Sequence, residues 1–170
     1  YNGGDPCHVR LRNVGSNSFE FQIEEWDYLD QPHTTETIYY IVMESGTYTL
    51  EDGTKVEIGK FDTSYCWADG TWYHVSFSQS FSTAPVVLCQ VQTYNGGQAV
   101  VVRVKDITTS GFYAIMREEE ANDNLHATET LGYIAIEPAV GTNNGRGYEV
   151  GKTPNAVTDA WYTISFQNTY

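Results

Sequence analysis

The residues Asp30-Gln31-Pro32-His33-Thr34-Thr35-Glu36-Thr37-Ile38-Tyr39-Tyr40-Ile41 return later in the chain as Asp123-Asn124-Leu125-His126-Ala127-Thr128-Glu129-Thr130-Leu131-Gly132-Tyr133-Ile134. No gap is needed to align them. The match extends upstream to Val9-Arg10-Leu11 against Val102-Arg103-Val104, and to Phe19 against Phe112. His33 and His126, Glu36 and Glu129, and Phe19 and Phe112 are each 93 positions apart. It resumes with Val56-Glu57-Ile58-Gly59-Lys60 against Tyr148-Glu149-Val150-Gly151-Lys152. Trp72-Tyr73-His74-Val75-Ser76-Phe77 then matches Trp161-Tyr162-Thr163-Ile164-Ser165-Phe166. Matching blocks in one order mark an internal duplication, and a repeat governs every later assignment of fold.

Each copy reads as strands. Phe19-Glu20-Phe21-Gln22-Ile23-Glu24 alternates apolar and polar with period two, the mark of a half-buried strand. In Val9-Arg10-Leu11-Arg12 the same alternation turns Val9 and Leu11 inward and puts Arg10 and Arg12 on the other face. Val102 and Val104 likewise point in, with Arg103 and Lys105 out. Tyr48-Thr49-Leu50, then Glu51-Asp52-Gly53-Thr54, then Lys55-Val56-Glu57-Ile58 is a hairpin signalled by Asp-Gly. Asn95-Gly96-Gly97 is expected to join Val86–Gln92 to Ala99–Val104 in the same way. Arg117–Asn124 suits one polar turn of helix or a loop. Short strands, frequent turns and no capped helical period predict an all-β fold, an antiparallel β-sandwich with an internal pseudo-twofold repeat. Residues 1–170 are read as one domain made of repeats at about 8–77 and 101–166, joined by a unique strand segment, 78–100.

Composition agrees. Thirteen Tyr, seven Phe and four Trp favour pleated, half-buried surfaces. Twenty-two acidic against nine basic residues give a net charge of −13, which repels phosphate backbones and anionic membranes. Nucleic-acid partners and membrane insertion are therefore not expected. Cys7, Cys66 and Cys89 have no C-x-x-C spacing, which argues against zinc or redox motifs. Cys89, inside Val-Val-Leu-Cys-Gln-Val, reads as a small buried hydrophobe. Cys7 and Cys66 lie in loop-like sequence and are candidates to pair in an oxidising compartment.

Residues Trp72 to Glu137 resemble the H-type lectin domain. The resemblance is carried by Trp72, Val75 and Phe77; by Phe81, Pro85 and Val87; by Arg103; by Ile107, Gly111 and Phe112; and by Tyr133-Ile134-Ala135-Ile136. It implies a sugar-binding module that assembles from several subunits with sites between chains. The family's strand Arg falls at Arg103, and at Arg10 in the first copy. Its Trp-His pair falls near Trp26-Asp27 in the first copy and near Glu119-Glu120 in the second, so only the first keeps an aromatic platform.

An aromatic face stacks on the C–H side of a pyranose while Asp and Arg bond its hydroxyls. His33 and His126 are each followed three residues later by an acid, a spacing able to bind a metal or hold a fixed hydrogen bond. Its presence in both copies favours a structural contact. The expected carbohydrate-binding set is Arg10, Trp26, Asp27 and His33 in one copy, with Arg103, Glu119, Glu120 and His126 in the other. Glu118-Glu119-Glu120 with Asp123 is acidic enough to attract calcium but lacks the spacing of a calcium loop, so no cofactor is expected. No nucleophile motif, phosphate loop or paired-carboxylate cleft supports an enzyme. The sequence thus points to a secreted or surface-displayed, non-catalytic glycan-binding module that forms homo-oligomers. The competing reading is a structural protomer of an extracellular fibre, matrix or surface layer, joined by strand exchange.

Overall fold

Strand formation follows the alternation. The computed structural model describes residues 3–67 and 70–170 and places eleven strands among them. These are β1 (Cys7–Arg12), β2 (Glu20–Glu25), β3 (Gly46–Thr49), β4 (Lys55–Thr63), β5 (Tyr73–Ser76) and β6 (Val86–Val91). They are followed by β7 (Val101–Lys105), β8 (Gly111–Arg117), β9 (Glu129–Ile136), β10 (Ala139–Asn143) and β11 (Arg146–Val150). A four-stranded sheet, β3-β4-β9-β6, and a three-stranded sheet, β5-β8-β7, are the two layers of an antiparallel β-sandwich. β1-β2 and β10-β11 are separate two-stranded ribbons. No helix among the described residues is long and apolar enough to cross a membrane.

The sandwich closes on Val75, Phe81, Val87, Phe112, Ala114, Tyr133 and Ala135, which come from both layers. These are largely the positions that carried the family resemblance. Stacking of Phe61 on Tyr73, with centroids 5.2 Å apart, links β4 to β5. Gly111 opens β8 opposite Ser76, and a Cβ there would run into the Val75 carbonyl oxygen. The Asp-Gly hairpin joins β3 to β4 as expected. Gly53 takes a φ of 89°, which suits a residue without Cβ, and Asp52 Oδ1 accepts from Thr54 N at 3.0 Å.

Two buried acids fasten the 77–82 connection to this frame. Glu57 on β4 accepts from Ser78 N, Gln79 N and the Tyr133 hydroxyl. Glu137 accepts from Lys55 N and Ser82 N. A buried carboxylate is tolerable when donors surround it, as they do here. Burial, reinforced by the Glu57 carboxylate, raises the Tyr133 pKa and keeps its phenol a donor.

Several expectations are corrected. Val86–Gln92 and Ala99–Val104 do not form a hairpin: β6 pairs with β9 and β7 with β8, so the 92–100 connection crosses between layers. Burial of Ala99 and Val100 at the end of the core draws the chain across. Arg10 is buried against that same connection, whereas Arg12 on the same face of β1 stays exposed. Of the two readings left open for Arg117–Asn124, the loop holds: Arg117 ends β8 and a loop follows it. Cys7 and Cys66 are both free: Cys66 bridges to Met116 in the core, whereas Cys7 opens β1 opposite Glu25. Cys89 is half-buried against the core, and burial pushes its thiol up to about 12. Residues 36–43 and 161–166 match β9 and β5 in the repeat, yet neither forms a strand.

Phe112 has no exposed surface, so Phe112→Ala is expected to destabilise the fold by about 3–5 kcal/mol. The change would be read from the urea midpoint. Leu125→Ala, at an exposed position, should stay within about 0.5 kcal/mol of the parent.

Candidate functional site

The joint between the copies is built around Arg10. It is 1% exposed, and its guanidinium donates to the carbonyls of Thr93, Gly96 and Gln98. Its Nη2 lies 2.8 Å from Glu129 Oε1 and its Nη1 3.3 Å from Glu24 Oε2. His8 Nε2 lies 2.9 Å from the same Glu24 oxygen. At the other end, the His126 ring sits between Glu118 Oε1, 2.8 Å from Nδ1, and Glu129 Oε1, 3.1 Å from Nε2. Alternating acid and base thus runs His8, Glu24, Arg10, Glu129, His126, Glu118, from the first copy into the second. A buried ion pair contributes little net stability, but removing one partner strands the other charge, so the set fixes how the copies sit together.

Beside this buried chain the two acidic loops meet. Asp27 Oδ2 accepts from Asn122 Nδ2 at 2.6 Å and Oδ1 from Ala99 N at 3.4 Å. Tyr28 N donates to Glu119 Oε2 at 3.3 Å. Trp26 leans on His8 with ring centroids 5.3 Å apart. The Trp26-Asp27-Tyr28 loop of one copy therefore borders the Glu119–Asn122 loop of the other, leaving an aromatic ring, carboxylates and an amide along one rim.

Of the residues expected to bind sugar, Trp26, Asp27 and Glu119 come together here, with Glu120 exposed next to Glu119. Arg10 and His126 lie behind the rim, inside the buried network. Arg103 is exposed on β7 opposite Ile115, with no contact to this group. His33 does not repeat the His126–Glu129 contact; its Nδ1 faces Thr34 O at 2.8 Å. The Glu118 carboxylate is taken up by His126 and by Asn124 N, so it is not free for a cation.

Sequence reasoning missed a second aromatic surface. Arg117 lies over the Trp67 ring at 4.3 Å and Lys105 over Trp72 at 4.4 Å, and the two indoles meet edge to face at 6.2 Å. Trp72 was read only as a core-pattern residue. The alternation that turns Lys105 outward was the available signal for its cation–π contact.

The family model of the H-type lectin domain matches residues 72–136, which span β5 to β9. This similarity supports a carbohydrate-binding, lectin-like module. The chain is also 36% identical over 167 residues to Halomucin of Haloquadratum walsbyi (strain DSM 16790 / HBSQ001), a match covering 96% of this chain. It spans about 2% of the length of that curated relative. No solved structure matches.

Glu129 gives the joint a pH signature. Burial alone would raise its pKa, but hydrogen bonds from Thr93, Gly96, Asn95 and His126 outweigh this and hold it below the ordinary 4.5. With the folded value below the unfolded one, the carboxylate stabilises the fold above the unfolded value. That contribution is lost as pH falls through the folded value. The melting temperature of the parent is expected to fall once pH drops below about 4.5. Glu129→Gln should melt lower at neutral pH and show a shallower acid limb. Identical acid limbs in the two proteins would assign the loss to other groups.

Proposed function

We propose that this module is extracellular and non-catalytic, and that it binds glycans at the rim between its two copies. Trp26 supplies the stacking face, while Asp27, Glu119 and Glu120 accept hydrogen bonds from sugar hydroxyls. Arg10 acts from behind, holding β1 and thereby the Trp26 loop in place. The observation that carries this reading is the convergence of the Trp26-Asp27 loop on the Glu119–Asn122 loop, joined by Asn122 and Asp27 at 2.6 Å. The H-type lectin domain supports the substrate class, and the match to Halomucin supports a location outside the cell. An open rim with one aromatic platform suits modest affinity per site, raised when several sites engage together.

The test is a glycan array of the intact chain beside Trp26→Ala and Asp27→Ala, all checked for folding by near-UV circular dichroism. Selective binding should weaken at least about tenfold in each variant, equivalent to about 1.4 kcal/mol. Binding that survives both substitutions would move the site elsewhere, with the Trp67–Trp72 surface next in line. A folded parent that binds no glycan would remove the proposal for the sugars on the array.

A further inference from the structure

The ends of the chain carry apolar faces that the sandwich leaves uncovered. At one end Tyr39 is 92% exposed and Ile41 71%, and Tyr40, Val42 and Phe21 are exposed with them. At the other, Trp161 is fully exposed, Ile164 is 61% exposed and Phe166 67%. The same repeat positions inside the sandwich are buried: Phe112 for Phe19, Ala114 for Phe21, Tyr133 for Tyr40, Ala135 for Val42 and Val75 for Ile164. An open cleft of about 1230 Å³ separates the first of these faces, at Phe19, Phe21 and Tyr40, from Ile58, Leu88 and Ile134 of the four-stranded sheet. Patches of this kind on a protein mark interaction surfaces.

The sandwich shows which strands complete such sheets. β5 pairs along one edge of β8, with Val75 opposite Phe112 and Tyr73 opposite Ala114, and adds Val75 to the core. β4 pairs along one edge of β9, with Ile58 opposite Ile134. In the repeat, β8 and β9 correspond to residues 18–24 and 36–43 at the head of the chain. β5 and β4 correspond to 161–166 and 147–155 at its tail. The head therefore carries the counterparts of β8 and β9, and the tail carries the counterparts of their edge partners. Within one chain head and tail do not pair: β11 pairs with β10, and the hydrogen bonds that tie 161–170 back to the chain among the described residues are those of Gln167 and Tyr170 with Glu149.

We propose that the tail of one copy docks on the head of a second copy and completes a hybrid sandwich between chains. Transferred register sets Ile164 opposite Phe19, Tyr162 opposite Phe21, and Val150 opposite Ile41. The 36–43 edge that β6 would occupy stays open, because the chain has no second counterpart of that strand. The tail of one chain meets the head of another, so the contact is heterologous and adds copies in line. The complete unit is then the 46–136 sandwich, flanked by the closing strands of one unit and the opening strands of another. This assembly goes beyond the glycan-binding reading and does not rely on it.

Sedimentation velocity of the intact chain, without glycan, tests the assembly. The parent should form species that grow with concentration. A head-blocked variant, Phe21→Asp with Ile41→Asp, and a tail-blocked variant, Ile164→Asp with Phe166→Asp, should each be monomeric. Mixed, they should give a dimer and nothing larger, because one intact head meets one intact tail. All four positions lie outside the sandwich, so its melting transition should be unchanged and serves as the folding control. A parent that stays monomeric at every concentration overturns the proposal. So do blocked variants that still assemble, or a mixture that remains monomeric.

A separate observation concerns the end of β2. Glu25 is completely buried, and neither of its carboxylate oxygens has a hydrogen-bond partner among the described residues. Oxygens of Glu25, Asp5 and Asp30 lie within 4.8 Å of one another, a spread that one cation with about 2.4 Å bonds can span. In the other copy the matching acid, Glu118, is satisfied by His126 and Asn124. From Glu25's lack of any such donor we infer a divalent cation site formed by these three residues. An all-oxygen donor set suits calcium. Calorimetric titration of the intact chain with calcium chloride in about 0.15 M salt, which screens weak surface binding, is the test. One site should appear, and it should be lost in both Glu25→Gln and Asp30→Asn. Absence of binding to the parent, or binding unchanged in both variants, overturns the assignment.

Discussion

Strand β9 depends on partners along both of its edges, and the rest of the molecule is arranged to provide them. β4 pairs along one side from Val56–Ile136 to Thr63–Glu129, and β6 along the other from Val86–Ile136 to Val91–Leu131. A strand without partners leaves a row of unsatisfied amides and carbonyls. The cost is visible within this chain. Residues 36–43, which match β9 at four of eight positions, have neither neighbour and form no strand. The four-stranded sheet, the core beneath it and the crossing to β7 all follow from bringing β4 and β6 to β9.

Charge does the corresponding work between the copies. The chain is strongly acidic, and several of its acids are inside: Glu24, Glu25, Glu57, Glu118 and Glu129. Most are surrounded by donors. Glu129 alone gathers Arg10, His126, Thr93 and the amides of Asn95 and Gly96. It therefore holds the first copy's β1, the crossing loop and the entrance to β9 at one point. The rim where the Trp26–Tyr28 and Glu119–Asn122 loops meet lies beside that clamp. Where the donors fail, at Glu25, the surroundings are acidic too, and a metal ion is the chemistry that answers the imbalance.

Much of this was legible beforehand. The Asp-Gly hairpin is local and its turn residues dictate it. The buried Val75, Phe81, Phe112 and Tyr133 were already marked by the family pattern, because core positions are constrained by packing. The His-x-x-Glu spacing allowed the His126–Glu129 contact, but the same spacing at His33 and Glu36 makes none, so neighbours and not spacing decide it. The crossing between β6 and β7 was not legible, since a turn-rich loop between two apolar strands has the same local signature whether it closes a hairpin or changes layers. Nor was the burial of Arg10. Alternation says that Arg10 and Val9 face opposite ways, but not that a second surface, ringed by carbonyls and Glu129, covers the Arg10 side.

The sequence by itself determined the repeat, the all-β class, the individual hairpin and the residues able to form a lectin-type core. These depend on side-chain alternation, turn chemistry and spacing, which are written locally. Tertiary structure decided which of two related segments becomes a strand, which charges are buried, and which loops share a rim. Backbone pairing and desolvation depend on neighbours far apart in the chain. Glu129-Thr130-Leu131-Gly132-Tyr133-Ile134 has those neighbours, and Glu36-Thr37-Ile38-Tyr39-Tyr40-Ile41 does not.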